Sequence, residues 1–269
     1  MSTYNKFKKG LLIAASSFNL IWKNKKLLVY LGIPLIFYVV LEILIFNISS
    51  TSACFFSQKN LILKIFKITG PHKLISYVKV IIATLIYLAT INFGYIALTY
   101  HTTMLAHQKK KISIREVILA ALAHIKPALI WTLLLIIPTV IFYVINAYNQ
   151  NISSSFVQLI YIMFILALLA AWSLVTSFVI QAITVDNLDI IASIKKSIYV
   201  IKQSLVEFFG TVFWLGLIST LSATPFMLLE KYANIFYIIT IPLVLLIYCT
   251  MTSAYTVAKT LLYLDFKKG

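Results

Sequence analysis

The sequence predicts an all-α fold: a polytopic transmembrane helix bundle of about six spans with three cytoplasmic amphipathic interfacial helices. Three observations carry that expectation. Apolar runs of bilayer length recur along the 269 residues, lysines crowd the segments between them, and 61% of residues are hydrophobic against 11% charged. A mean hydropathy of +0.97 lies far outside the balance of a soluble domain.

The runs are Leu27 to Phe46, Val80 to Tyr100, Ala128 to Ile145, Phe156 to Val179, Phe208 to Leu229, and Ile235 to about Leu262. Each is close to the roughly 20 residues that cross ~30 Å of hydrocarbon at 1.5 Å per residue. The last is longer than a straight crossing needs, so it should tilt, kink near Pro242 or emerge on one side. No cleavable signal peptide is expected, because Asn and Ser interrupt the first apolar stretch.

Orientation follows from lysine and arginine, whose excess marks cytoplasmic connections. Lys6, Lys8, Lys9, Lys23, Lys25 and Lys26 precede the first span; Lys109, Lys110, Lys111, Arg115 and Lys126 separate the second from the third. Lys195, Lys196 and Lys202 separate the fourth from the fifth, and Lys259, Lys267 and Lys268 close the chain. Of the 23 basic residues, the other side keeps Lys59, Lys64, Lys67, Lys73, Lys79 and Lys231, five of them in the 47–79 connection. Both termini are therefore expected in the cytoplasm. The net charge of +16 is spread over membrane flanks, where basic residues meet anionic headgroups at about 1 kcal/mol each. Nucleic acid is not an expected partner. Arg115, the sole arginine, is also the only residue able to grip phosphate bidentately.

Each stretch ahead of an odd-numbered span has helical spacing. Phe7, Leu11, Ala14, Phe18 and Ile21 define one apolar face; Ile114, Val117, Ile118, Ala121, Leu122 and Ile125 a second; Ile191, Ile194, Ile198, Ile201 and Leu205 a third. Ser113 with Glu116 reads as a capping box, and Asp186 with Asp189 places negative charge at a helix start. The inferred unit, a surface helix followed by a hairpin of spans, occurs three times within one membrane domain, over 1–100, 112–182 and 187–262. Any helical linker beside a membrane looks amphipathic, and residue identity between the units is slight, so the repeat rests on the pattern alone. The candidate contacts to anionic lipid are Lys8, Lys9, Lys109, Lys110, Lys111, Lys195 and Lys196.

Catalytic chemistry needs converging polar groups, and these are scarce. The seven acids are scattered, His101 and His107 diverge on a helix, and no glycine pattern cradles a phosphate. Cys54 and Cys249 offer no redox pair. No enzyme activity, cofactor or metal is expected. Within the spans, Glu42, Thr90 and Asn92 are the candidate polar residues. Asn92, beside the small pair Thr90 and Gly94, suits hydrogen bonding between helices better than substrate binding.

The stretch LAAWSLVTSFVIQAITVDNLDIIASIKKSIYVIK, from Leu169 to Lys202, joins a span to an Asp-containing turn and a basic helix. With FKKGLLIAASSFNLIWKNKKLLVYLGIPLI, it resembles an uncharacterised bacterial family of six-span membrane proteins, a domain of unknown function, and more loosely the membrane portion of some glycerophosphodiester phosphodiesterases. The resemblance implies a cytoplasmic-membrane location and this helical layout, without catalytic residues. The function expected is therefore that of a non-enzymatic inner-membrane protein engaging lipid or a partner in envelope organisation. The alternative is a small-molecule or ion transporter or channel.

Overall fold

A computed structural model describes residues 2–46, 73–107, 112–149, 155–230 and 237–268. All of the described chain is helix and short turn, with no strand. The helices are α1 (Thr3–Lys23), α2 (Val29–Phe46), α3 (Lys73–Ala106), α4 (Ile114–Ala123), α5 (Ile125–Asn149), α6 (Ser155–Thr176), α7 (Val179–Asp186), α8 (Ile190–Glu230) and α9 (Tyr237–Lys268). A 3-10 turn, Lys25–Leu28, links α1 to α2.

Three described stretches are long and apolar enough to cross a membrane: Met163–Asp186, Ile190–Ser222 and Leu243–Lys267. A fourth joins them if α4 and the start of α5, bent by 67°, act as one span. Wherever they are described, the apolar runs of the sequence are helical except at Ser177 and Phe178, the turn that separates α6 from α7. The lysines of the first connection lie outside the described residues except Lys73 and Lys79, which fall on α3.

Local chemistry explains the helix ends. The Ser113 hydroxyl accepts from the Glu116 amide at 3.2 Å while the Glu116 carboxylate accepts from the Ser113 amide at 3.3 Å, closing the capping box at α4. Asp189 accepts from the Ala192 amide at 2.7 Å and starts α8. Asp186 does not share that role, against expectation: it is the last residue of α7 and bonds to α9. Asn187 follows in the left-handed region at φ 54°, where asparagine is better tolerated than most residues. The third surface helix and the fifth span form one continuous α8, with non-helical φ/ψ at Ser204 marking a kink between them.

The core sits where α1, α2, α3, α7, α8 and α9 meet. α1 lies against α8 and α9, α2 against α3 and α9, and α3 also against α4, α5 and α7. The α1 face that is buried comprises Gly10, Ala14, Ser17 and Ile21; Phe7, Leu11 and Phe18 are half-buried at its edges. A Cβ on Gly10 would overlap Glu207 O and lie 2.9 Å from Thr211 N, and one on Gly210 would lie 2.7 Å from Phe7 O. Two glycines thus let the backbones of α1 and α8 touch, and the Thr211 hydroxyl lies 3.1 Å from Gly10 O across the crossing.

A second close approach joins α2 to α3. Pro34 lacks the amide that would bond Tyr30 O, and Gly94 comes up against that carbonyl: a Cβ there would overlap it and lie 3.1 Å from Leu31 Cδ2. Farther along, the carboxyl-terminal part of α9 meets that of α3 and the turn that precedes α7. Phe178 packs 6.1 Å from Tyr263, and the hydroxyls of Thr99 and Thr260 lie 3.5 Å apart.

Candidate functional site

Two regions gather the residues that chemistry singles out. One is the end of the bundle where both termini lie. Lys9 of α1 pairs with Asp265 of α9, so the amino-terminal half of the first helix lies beside the carboxyl end of the last. Asp186 accepts from the Tyr263 hydroxyl at 2.6 Å and from Lys267 Nζ at 2.7 Å. Tyr263 is buried and Lys267 exposed, so the carboxylate ties a core hydroxyl to a surface cation. Lys8, Lys195 and Lys202 are exposed. Lys196 rests 5.7 Å from the Tyr199 and Phe266 rings, which makes it partly a packing residue. Lys109, Lys110 and Lys111 lie outside the described residues. On the outer side of α1, Trp22 is 79% exposed with Lys25 Nζ 5.7 Å from its ring, a pairing suited to the headgroup level.

The other region lies between α2, α3, α4 and α5. Of the three intramembrane candidates, Asn92 is buried and its Nδ2 donates to Thr132 Oγ1 at 3.0 Å, while Thr132 donates to Ala128 O at 2.8 Å. The amide therefore bonds α3 to α5. The Thr90 hydroxyl lies 3.0 Å from Ile86 O and 2.9 Å from Tyr87 O on its own helix. Glu42 is helical on α2, with its side chain outside the described residues. Beside Thr90 opens a cavity of about 530 Å³, walled by residues such as Ile33, Phe37, Gly94, Ala97, Leu122 and Leu129.

At the cavity's inner edge the Tyr30 hydroxyl and His101 Nδ1 are 3.0 Å apart. Burial and the nearby Lys26 ammonium hold the His101 imidazole below its ordinary pKa. Burial lowers the His124 pKa at the α4–α5 bend as well. Neither histidine belongs to a metal set, since no cluster of His, Cys, Asp and Glu forms among the described residues. Cys249, buried on α9, lies 3.4 Å from Leu28 O.

Sequence reasoning missed three features. Gly10 and Gly210 face each other only through tertiary contact, Asp186 finds its partners about eighty residues away, and Gln181 is fully buried. Neither end of the Gln181 amide has a partner among the described residues. The glycines carried a signal in their spacing from small residues on the same face, Gly10 with Ala14 and Ser17. The other two carried none.

No protein-family model, curated protein or solved structure matches the chain, and these comparisons support neither the resemblance to six-span proteins of unknown function nor that to glycerophosphodiester phosphodiesterases.

Proposed function

We propose that this is a six-span, non-enzymatic protein of the bacterial cytoplasmic membrane with both termini in the cytosol, where its basic helices engage anionic lipid in envelope organisation. The observation that carries the reading is the gathering of chain ends: Lys9 meets Asp265, Lys267 meets Asp186, and Lys8 of α1 and Lys195 and Lys202 of α8 remain exposed. A bundle that fixes α1 and the start of α8 against α9 presents their lysines as one surface instead of three loose segments. Anionic headgroups supply its counter-charge.

Transport fits the geometry less well. Asn92 spends its amide on Thr132, and Thr90 its hydroxyl on its own helix, so both act as packing groups. The test is binding of the purified full chain, in detergent, to vesicles of phosphatidylglycerol or of phosphatidylcholine. Binding that favours phosphatidylglycerol, and that drops about tenfold in a Lys8→Gln, Lys195→Gln, Lys202→Gln triple variant, supports the reading. Equal binding to both vesicles removes it.

A further inference from the structure

We propose that the cavity between α2, α3, α4 and α5 holds one acyl chain of an anionic phospholipid from the cytoplasmic leaflet. A space of about 530 Å³ falls within the ~300–1,000 Å³ range of ligand sites. Filled with water, at ~30 Å³ per molecule, it would need polar partners for more than a dozen waters. Its described walls do not provide them: the Thr90 and Tyr30 hydroxyls already have partners, and the remaining lining is carbon. The occupant that this surface solvates is hydrocarbon.

The cavity opens onto surface of the same kind. Ile33 is 63% exposed and Leu129 47%, and both line it. They continue along their helices into the exposed Ile36 and Leu133. On chains read as spanning a bilayer these faces meet lipid, so a tail enters sideways without crossing water. The wall itself carries no lysine, but lysines flank its lining residues in the chain at the cytoplasmic end. Lys25 and Lys26 lie within about one turn of the lining residue Val29, and Lys126 sits between the lining residues Ile125 and Leu129. All three are exposed, at the amino ends of α2 and α5, where helix dipoles also favour an anion. Tail and phosphate thus each meet matching chemistry within the length of one lipid.

This inference rests on the membrane reading above but not on lipid binding by the α1 and α8 lysines. The experiment is native mass spectrometry of the detergent-purified full chain titrated with phosphatidylglycerol, or with phosphatidylcholine of the same tails. Leu122→Trp and Ile118→Trp, which fill the cavity from exposed positions on α4, are expected to weaken phosphatidylglycerol binding about tenfold. Leu119→Trp, exposed on the same helix but away from the lining, is expected to bind as the parent does. Lys26→Gln with Lys126→Gln should abolish the preference for phosphatidylglycerol while phosphatidylcholine still binds. Parent-like affinity in both filling variants overturns the proposal. So does loss of lipid confined to the Lys8, Lys195, Lys202 variant, which leaves the surface reading standing. A dimer that both filling variants convert to monomer likewise overturns it, by assigning the cavity to a second copy.

Discussion

Substituting Gly10 by alanine adds one methyl group at the place where two helices touch backbone to backbone. Its Cβ would lie 2.9 Å from Thr211 N and overlap Glu207 O, whereas relaxed contacts sit near ~3.5 Å. Both obstacles are main chain and have no rotamer to escape into. α1 must therefore retreat by about 1 Å, a gap that forfeits a quarter to a half of each dispersion contact along its buried face. The approach of Thr211 Oγ1 to Gly10 O, now 3.1 Å, stretches beyond hydrogen-bond reach. Overpacking of this kind costs about 1–3 kcal/mol, and the lost bond about 1 kcal/mol. Against these stands about 1 kcal/mol of improved helix propensity. The net is about 2 kcal/mol of destabilisation, or a fall of roughly 4–8 °C for a chain of this size.

Gly216 supplies the control. It lies on α8 as well, but a Cβ there meets nothing within 4 Å, so Gly216→Ala should be neutral or raise stability by about 0.5–1 kcal/mol. Thermal unfolding of the detergent-purified chain, followed by tryptophan fluorescence, compares the two. Equal melting temperatures for Gly10→Ala and Gly216→Ala would refute the crossing of α1 and α8, and with it the docking of the amino-terminal helix.

Further outcomes follow from other contacts. Thr132→Val should cost more than Asn92→Leu, by about 1 kcal/mol in unfolding measurements, because it strands a buried amide that the second change removes. Gln181→Met should be neutral or stabilising, since the fully buried amide has no partner among the described residues; a loss above about 1 kcal/mol would show that the amide is bonded. His101 has its pKa lowered in the folded state, so below its unfolded value of ~6.5 the unfolded chain binds the extra proton and stability falls as pH drops. His101→Gln should flatten part of that slope as the pH falls through the unfolded value of ~6.5; an unchanged slope would deny the burial its cost.

Helix positions were legible because bilayer-length apolar runs have few ways to fold. Caps at Ser113 and Asp189 were legible because they depend on neighbours three residues away. The α1 face was only half legible. The expected face of Phe7, Leu11, Ala14, Phe18 and Ile21 shares Ala14 and Ile21 with the surface that packs most deeply, but that surface is completed by Gly10 and Ser17 while Phe7, Leu11 and Phe18 lie at its edges. Between helices in a bundle, smallness governs approach more than hydropathy does. Asp186 was misread for a related reason: its spacing from Asp189 matched a cap, while its actual partners, Tyr263 and Lys267, lie on α9. The cavity had no local signature, since its wall combines four helices.

The central claim is that six apolar stretches cross the bilayer and leave both chain ends in the cytosol. Single cysteines at Ser2, Asn151 and Asn187, placed in a chain carrying Cys54→Ser and Cys249→Ser, test it with a membrane-impermeant thiol reagent on intact spheroplasts. The prediction is labelling at position 151 alone, with 2 and 187 reacting only after permeabilisation. Labelling of position 2 or 187 from outside would contradict it.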